Sequence, residues 1–324
     1  MMDTQSRLLA LDWGTTSLRA YRLGDNGQQL ECRELPYGIM KLPEHKEGRI
    51  AAFRETFFTA CSDWLQAGAN PSVIACGMVG SAQGWKEATY LPCPTSLTGL
   101  ASQLCRLNIT HSISLSIVPG LAVDGSDPEV MRGEETQIFG ILCNENNNAD
   151  EMIIGMPGTH SKWALTQQNC VLSFHTFMTG EVFDALRHHT ILGSTMQNTP
   201  ETDWQTFDDG VATAIRQAKA GLLCTLFSTR TKLLSGHISS QQQADYLSGL
   251  VIGHELIGIR QTLLISEERR QCTPIMLTGN TNLCERYQRA FRQAIADRPL
   301  KFIAQATAAG LWQIASLARL ISDA

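Results

Sequence analysis

Two Gly-Thr turns carry residue types that could hold a phosphate chain. The first turn follows an apolar run that ends in Asp12, and it contains Gly14, Thr15 and Thr16. Glycine permits a sharp turn, and backbone amides together with threonine hydroxyls can point at one anion. A carboxylate beside a phosphate is repulsive unless a cation mediates, so Asp12 predicts a Mg²⁺ site. A plain β-hairpin with a solvated acid would use the same residues.

The second turn offers backbone donors, hydroxyls and a cation in one short segment. It reads Gly158, Thr159, His160, Ser161, Lys162. Two hairpins of this kind, one in each half of the chain, suit a polyphosphate held in a cleft whose closure excludes water. The alternative is that both turns are purely structural.

A third candidate is the end of a buried strand, where Gly279 and Asn280 precede a helix. Glycine lets a flat ring approach the backbone, and a helix N-terminus favours anions. A strand followed by glycine and a helix is also common in proteins without a ligand.

A catalytic base is suggested by adjacent acids at a predicted helix start, in the sequence VMRGEETQIFG. Glu134 is the first candidate and Glu135 the second, and acids in a first helical turn are also ordinary partners of the helix dipole. Arg132 could orient the base or clamp a carboxylate or phosphate. Arg19, on the second strand of the first hairpin, could face a cleft instead of solvent.

The loop GMVGSAQGWK, residues 77–86, combines a flexible backbone with a hydroxyl, an amide and an indole. These groups suit a polyol, so Ser81 and Trp85 are candidate acceptor-binding residues. A surface loop without a ligand would use similar residues.

The elements that must position these residues form a repeated pattern. Residues 7–35 predict three strands joined by tight turns, and residues 151–177 predict the same pattern again. Helical patterns follow each set, at residues 49–66 and near 133 in the first half and at 181–189, 204–218, 241–264, 281–296 and 307–320 in the second. A repeat this long predicts two related α/β domains, residues 1–146 for acceptor and first-phosphate binding and 147–324 for nucleotide binding.

Composition limits the class of protein. The 324 residues are 43% hydrophobic and 18% charged with net charge −5, which is typical of a globular protein without a basic nucleic-acid-binding stripe. Ten scattered cysteines without metal spacing predict reduced thiols, and no apolar run is long enough for a bilayer or a signal peptide. We therefore expect a cytoplasmic protein with small-molecule partners, no nucleic acid and no membrane; a homodimer is compatible with the sequence.

Taken together, these segments resemble the sugar kinase / Hsp70 / actin superfamily. Within it the chain is similar to the 2-dehydro-3-deoxygalactonokinase family, through six segments in order: DWGTTSLRAY, GMVGSAQGWKEATYL, VMRGEETQIFG, MPGTHSKW, FMTGE and SGLVIG. The resemblance implies two ribonuclease H-like domains of the actin-like ATPase fold, facing across a nucleotide cleft. It also implies transfer of phosphate from ATP, with Mg²⁺, to the 6-hydroxyl of 2-dehydro-3-deoxy-D-galactonate in galactonate breakdown.

The same resemblance assigns residues to subsites. Asp12 and residues 14–16 take the first phosphate site, residues 158–160 the second, and Gly279 and Asn280 the adenosine site. The acidic helix start corresponds to the place where related sugar kinases carry an Asp base. Two rival functions share these features: an exopolyphosphatase-like phosphohydrolase, in which water replaces the sugar acid, and an actin-like nucleotide-binding switch.

Overall fold

The computed structural model describes residues 5–43, 45–66, 71–144, 150–295 and 300–321. The chain packs into two compact units. Unit 1 comprises residues 1–148, 166–173 and 305–324, and unit 2 comprises residues 149–165 and 174–304. The predicted boundary after residue 146 lies outside the described residues. Unit 2 differs from a continuous 147–324 segment because the last helix packs in unit 1, and the functional division between the domains stays a prediction.

Unit 1 is built on a six-stranded sheet in the order β3-β2-β1-β4-β8-β7. Its strands are β1 (Leu8–Trp13), β2 (Leu18–Leu23), β3 (Gln29–Leu35), β4 (Ser72–Gly77), β7 (Cys105–Asn108) and β8 (Ser114–Ile117). β1 runs antiparallel to β2 and parallel to β4, and β4 runs parallel to β8. The three-strand pattern predicted for the start of the chain is therefore confirmed.

Three helices and two smaller groups of strands complete unit 1 before the last helix is added. The helices before residue 145 are α1 (Lys46–Gln66), α2 (Leu97–Ala101) and α3 (Glu134–Asn144). A three-stranded sheet contains β5 (Tyr90–Pro92), β9 (Gly120–Val123) and β10 (Glu129–Met131), and β6 (Thr95–Ser96) pairs with Cys170 and Val171. The core beneath α1 is aromatic, with the Trp13 and Phe53 rings 5.1 Å apart.

Unit 2 repeats the strand order of unit 1. Its sheet is formed by β11 (Glu151–Met156), β12 (Ser161–Gln167), β13 (Cys170–Phe177), β14 (Ile275–Leu277) and β15 (Lys301–Phe302). Residues 166–173, where β12 turns into β13, are grouped with unit 1. They lie in the order β15-β14-β11-β12-β13, which corresponds to β8-β4-β1-β2-β3, and β14 is parallel to both β11 and β15. The sequence repeat is thus a repeat of topology.

The helices of unit 2 lie between β13 and β14 and between β14 and β15. They are α4 (Thr179–His189), α5 (Trp204–Arg216), α6 (Gly221–Leu226), α7 (Ser228–Leu234), α8 (Gln243–Thr262), α9 (Glu267–Cys272) and α10 (Thr281–Ala294). α8 is buried along most of its length, which explains why its pattern is almost continuously apolar. Among the described helices, none combines the length and apolarity needed to cross a membrane.

The last helix, α11 (Ala306–Leu317), belongs to unit 1 and crosses α3 at very short range. A Cβ atom on Gly140 would lie 1.9 Å from the carbonyl oxygen of Ala306, and one on Gly310 would lie 1.9 Å from that of Thr136. The two helices can pack this closely because both crossing positions are glycine. This contact fixes α3, which begins at the predicted catalytic acids.

Candidate active site

The start of α3 lies against the carboxyl ends of β1 and β4, and this brings the predicted metal residue close to the predicted base. Asp12 is in register with Cys76 on the neighbouring parallel strand. A Cβ atom on Gly77 would lie 3.6 Å from Oδ1 of Asp12, and one on Gly133 would lie 3.2 Å from Cα of Gly77. Carboxyl ends of parallel strands are the edge where α/β folds bind ligands.

The charge on Asp12 is only partly compensated. Burial raises its pKa, the positive charge of Arg19 lowers it, and Glu34 raises it again. Arg19 is exposed and its Nη2 lies 3.2 Å from a carboxylate oxygen of Glu34, so it is shared between the two acids. The buried thiol of Cys76 lies 4.0 Å from Oδ1 of Asp12, and burial followed by the charge of Asp12 raises the pKa of that thiol. Cys76 therefore stays protonated and unreactive.

The two adjacent acids of α3 lie in different environments. Glu135 is 0% exposed; the Gly133 amide donates to its Oε2 at 2.6 Å and the Thr136 hydroxyl to its Oε1 at 3.1 Å. Burial, followed by repulsion from Glu134, raises the pKa of Glu135 to about 8. Glu134 is half-buried and accepts a hydrogen bond from the Arg132 amide at 3.2 Å. Glu134 is thus the more accessible acid, whereas Glu135 is largely protonated at neutral pH and braces the turn.

The first Gly-Thr turn is held rigid by the chain that follows β3. The amides of Gly38, Ile39 and Met40 donate to the carbonyls of Thr16, Gly14 and Thr15, at 3.1, 3.1 and 3.0 Å. Thr15 and Thr16 are exposed, so their hydroxyls can meet a ligand while the carbonyls of the turn are occupied. The Gly14 amide is bonded to the Ser17 carbonyl at 2.9 Å, and the role of this turn in phosphate binding stays a prediction.

Arg132 is a buried cation beneath the predicted acceptor loop. It is 8% exposed, its Nη2 donates to the Ala88 carbonyl at 2.7 Å, and its guanidinium carbon lies 4.2 Å from the centre of the Tyr90 ring. Within the described part of the chain, its Nε and Nη1 have no hydrogen-bond partner. A Cβ atom on Gly80 would lie 3.0 Å from Nη1, so the loop passes directly over this cation.

The other two acceptor-loop candidates serve the loop itself. The hydroxyl of Ser81 donates to the Met78 carbonyl at 2.8 Å and closes a turn. Trp85 is 8% exposed, and its ring stacks on Phe53 with centroids 5.7 Å apart. The indole that the sequence offers to a sugar therefore lies in the aromatic core, where it anchors the loop.

In unit 2 the second Gly-Thr turn packs against the start of α4. A Cβ atom on Gly180 would lie 2.4 Å from the Gly158 carbonyl oxygen, and the Glu181 amide donates to the Thr159 carbonyl at 3.0 Å. The side chains of His160 and Glu181 are hydrogen-bonded to each other on the surface. The helix N-terminus thus adds its positive dipole end to the turn, which favours an anion here.

Lys162 points away from the position that the sequence suggests. It is buried, and its Nζ donates to the Thr176 hydroxyl at 2.7 Å. Successive side chains of a strand point to opposite faces, so Lys162 lies on the other face of β12 from Ser161 and Trp163. Lys162 does not line the cavity described below.

The third predicted segment lies beside the second turn. Gly279 has φ of +132°, and a Cβ atom there would lie 3.3 Å from the Pro157 carbonyl oxygen. Asn280 caps α10, and its side-chain oxygen accepts a hydrogen bond from the Leu283 amide at 3.1 Å. Because β11 and β14 are parallel neighbours, their carboxyl ends bring the turn at Gly158 and the start of α10 to one edge of the sheet.

A cavity of about 310 Å³ opens at this edge. Its lining includes Gly158, Thr179, Gly180, Phe183, Arg187, Ser248, Val251, Ile252, Leu283, Arg286 and Tyr287. Arg286 is held by Asp245 at 2.9 Å, and its guanidinium carbon lies 5.6 Å from the centre of the Trp204 ring. The lining combines apolar side chains with several polar ones, and a mixed cavity of this kind can accommodate a nucleoside.

Sequence reasoning missed the buried acid behind this cavity. Glu255 is 3% exposed on α8 and accepts hydrogen bonds from Trp163 Nε1 at 2.6 Å and from the Tyr287 hydroxyl at 2.5 Å. The signal that could have found it is an acid within an otherwise apolar helical run, SGLVIGHELIG, since a buried charge must be hydrogen-bonded.

In the described residues, no group of three or more His, Cys, Asp or Glu side chains is arranged to hold a metal ion. Asp12 thus stands as a single carboxylate beside the acidic helix start. The repeated strand order, with a Gly-Thr hairpin in each unit, is that of the actin-like ATPase fold, as the sequence predicts.

Comparison with known proteins identifies the family. The family described as 2-keto-3-deoxy-galactonokinase matches residues 12–314, so the chain belongs to this family of kinases. A relative from Escherichia coli (strain K12), named 2-dehydro-3-deoxygalactonokinase, is 31% identical over 90% of this chain and 91% of its own length. A probable 2-dehydro-3-deoxygalactonokinase of Rhizobium meliloti (strain 1021) is 36% identical over 79% of this chain and 81% of its own.

A solved structure supports the same assignment. The crystal structure of a putative 2-dehydro-3-deoxygalactonokinase protein from Sinorhizobium meliloti aligns with a TM-score of 0.82 at 31% identity. The alignment covers 95% of this chain and 98% of that one. The fold is therefore shared over nearly the whole length of both chains.

Proposed function

We propose that this protein transfers the terminal phosphoryl group of ATP to the 6-hydroxyl of 2-dehydro-3-deoxy-D-galactonate. The observation that carries the proposal is the meeting of Asp12 and the start of α3 at Gly77, in a chain of this kinase family. A phosphoryl-transfer enzyme needs a group that orients the acceptor hydroxyl and one that manages phosphate charge. Glu134 and Asp12 supply these two groups.

In this proposal Glu134 is the general base and Glu135 is not. A base must reach the acceptor and be ionised at the working pH, and Glu134 is the more exposed of the two. The protonated, fully buried Glu135 instead holds the Gly133 amide, which fixes the turn before the base. The hydroxyl proton of the acceptor passes to the Glu134 carboxylate as the new P–O bond forms, the bond from the γ-phosphorus to the bridging oxygen breaks, and ADP leaves.

The acceptor's carboxylate is drawn to unit 1 by Arg132 and Arg19. Arg132 is a buried cation whose Nε and Nη1 lack a partner among the described residues, directly under the loop of residues 77–86. A buried charge acts over a longer range than an exposed one because solvent screens it less. Ser81 and Trp85 keep the shape of this loop.

Mg²⁺ fits the residues present. Burial raises the pKa of Asp12, so a cation arriving with a ligand would stabilise its ionised form. A carboxylate oxygen is the ligand type that Mg²⁺ prefers, and Mg²⁺ usually takes its remaining ligands from phosphates and water. When bound, the ion would neutralise charge on the phosphate oxygens of ATP.

The nucleotide is assigned to unit 2. Its phosphates meet the turn at residues 158–160 and the start of α4, and its nucleoside enters the cavity beside Gly279 and Asn280. Because α10 begins at this edge, its N-terminal amides add to the donors facing the ligand. We place the reaction in galactonate breakdown in the cytoplasm, which the ten free cysteines favour. A homodimer stays a prediction.

The decisive experiment measures ADP release from MgATP by the purified protein with a panel of acceptors. The panel contains 2-dehydro-3-deoxy-D-galactonate, its gluconate epimer, neutral hexoses and a well without acceptor. We expect ADP only with the sugar acid of galactonate configuration. Equal ADP release without an acceptor would identify a phosphohydrolase, and nucleotide binding without ADP release would identify a switch.

Glu134→Gln in the same assay tests the base. We expect turnover to fall by about 10²- to 10⁴-fold, the usual contribution of a general base. Glu135→Gln is the matched control, because it changes an acid that is already protonated, and it should lose far less. Near-normal turnover of Glu134→Gln would show that the base is another residue.

A further inference from the structure

The buried carboxylate of Glu255 has no role in the chemistry described so far, yet it touches three elements of the cavity. Besides Trp163 and Tyr287, the hydroxyls of Ser161 and Thr179 are hydrogen-bonded to it. Each carboxylate oxygen can accept about two hydrogen bonds, so these four donors saturate the group. Burial raises the pKa of Glu255, and these four hydrogen bonds lower it again, so the protein's own donors offset part of the cost of burying the acid.

Three of the four partners of Glu255 belong to different parts of the proposed nucleotide site. The Ser161 hydroxyl accepts a hydrogen bond from the Gly158 amide at 3.4 Å and lies 3.0 Å from the Tyr287 hydroxyl, so it holds the second Gly-Thr turn. Thr179 is the first residue of α4, and Tyr287 lies on α10; both line the cavity together with Gly158. Trp163 on β12 fixes the carboxylate from behind.

The direction of these hydrogen bonds affects the cavity wall. A carboxylate only accepts, so the hydroxyl protons of Thr179 and Tyr287 are turned toward Glu255. Thr179 is half-buried, so the lone pairs of its hydroxyl are left for other donors, such as the hydroxyl groups of a ribose, whereas the Tyr287 hydroxyl is buried between Glu255 and Ser161. Glu255 thereby sets both the position and the hydrogen-bonding polarity of two residues that line the cavity.

We propose that Glu255 is a positioning residue for the nucleotide, holding the turn at Gly158, the start of α4 and α10 in one preformed arrangement. The inference rests on the proposed function, since it assigns the nucleotide to this cavity. A network in which every member is satisfied rigidifies its surroundings, and a preformed site loses less entropy on binding.

The test compares Glu255→Leu and Glu255→Gln with a control on β11 of the same unit. Glutamine can still accept from Trp163, while its amide donates to hydroxyls that can rotate; leucine retains none of the bonds. The control is Glu151→Leu, which removes a half-buried acid bound by Arg269 at 2.7 Å and lies outside the cavity lining. The measurements are the Kd for ADP by calorimetry, the KM for MgATP, the KM for the sugar acid and Tm.

We expect Glu255→Leu to weaken ADP binding and raise the KM for MgATP by roughly 10- to 100-fold, as loss of supporting partners does at metal sites. The KM for the sugar acid should stay within about twofold of wild type, and Glu255→Gln should recover part of the loss. Glu151→Leu should lower Tm and leave ADP binding unchanged. An ADP Kd for Glu255→Leu that shifts no more than that of Glu151→Leu would overturn the proposal.

If Glu255→Leu shows no cooperative unfolding transition, it is not folded, and the ADP affinities of Glu255→Gln and Tyr287→Phe test the proposal instead. Tyr287→Phe removes the hydroxyl that donates to Glu255 and lies beside Ser161, so it should weaken ADP binding. Wild-type affinity for ADP in both Glu255→Gln and Tyr287→Phe would refute the proposal. The proposed function is judged separately, by wild-type phosphorylation of the sugar acid. If the wild-type protein binds ADP but does not phosphorylate the sugar acid, the proposed acceptor is wrong. The positioning role of Glu255 is then still tested by ADP binding.

Discussion

Glu134 and Glu135 are adjacent in sequence, and a difference in burial is the main cause of their different chemistry. A carboxyl group without access to water favours its neutral form, and a second carboxylate nearby adds to that preference. Burial is the largest cause for Glu135, and its pKa rises to about 8. Glu135 therefore keeps a proton at neutral pH, whereas Glu134 is the more accessible of the two acids.

This difference predicts how stability depends on pH. Glu135 ionises near 4.5 when unfolded and near 8 when folded, so the folded state holds more protons between these values. The free energy of unfolding should therefore fall as pH rises from about 4.5 to about 8. Glu135→Gln stays neutral throughout, so its free energy of unfolding should not share this fall. The difference between the variant and wild type should shift in favour of the variant by a few kcal/mol as pH rises to about 8. Urea unfolding at several pH values measures this, and parallel curves for the two proteins would contradict it.

Single residues also mark the limit of sequence reasoning. The acids, the threonines and the glycines were found because their types and spacing are unusual at strand ends and helix starts. Trp85 was assigned to the acceptor because an indole can bind a sugar. An indole can equally fill a core, and only its packing on Phe53 distinguishes the two roles. Glu255 was passed over because its partners come from distant segments, β12, α4 and α10.

Among the elements, α3 and α11 depend most on each other. Their crossing at Gly140 and Gly310 brings backbone atoms into contact, and α3 carries Glu134 at its first turn. The position of the proposed base is thus set by a helix that is more than 160 residues away in sequence. The periodicity of the last helix predicts which of its faces is apolar, but it contains no information on which unit that face will cover.

Gly310→Ala tests this crossing. The new Cβ atom would lie 1.9 Å from the Thr136 carbonyl oxygen, so α11 must move away from α3. We expect a loss of about 1–3 kcal/mol in the free energy of unfolding, as in other overpacked cores, together with a fall in turnover. Gly48→Ala on α1 is the control, because its nearest neighbour is 3.8 Å away and alanine favours a helix. Equal stability of Gly310→Ala and wild type would show that the crossing adapts freely.

Across the whole molecule, duplication of one strand order is the feature that the sequence revealed best. Three strands with a tight Gly-Thr turn between the first two recur in both halves, and local patterns of this kind survive without sequence identity. The assignment of residues 305–321 to unit 1 could not be predicted, because it arises from packing between segments remote in the chain.

Deleting residues 305–324 should abolish phosphoryl transfer and leave ADP binding intact. Leu311, Ile314 and Ala315 are fully buried, and losing a large buried side chain costs about 2–5 kcal/mol each, against a typical total of about 5–15 kcal/mol. We expect phosphoryl transfer to vanish, while ADP binding persists because its residues lie within 158–287. Calorimetry with ADP and the ADP-release assay measure the two outcomes, and a shortened chain with full turnover would contradict the prediction.

The return of α11 to unit 1 also dictates an order of events at the ribosome. Domains usually fold as they emerge, starting from the amino terminus. Here the first unit must wait for a helix that is translated after every strand and helix of the second, so the unit begun first is completed last. If translation pauses before codon 305, all residues of the second unit have been synthesised. The surface of α3 around Gly140 is then still uncovered, because α11 has not been translated.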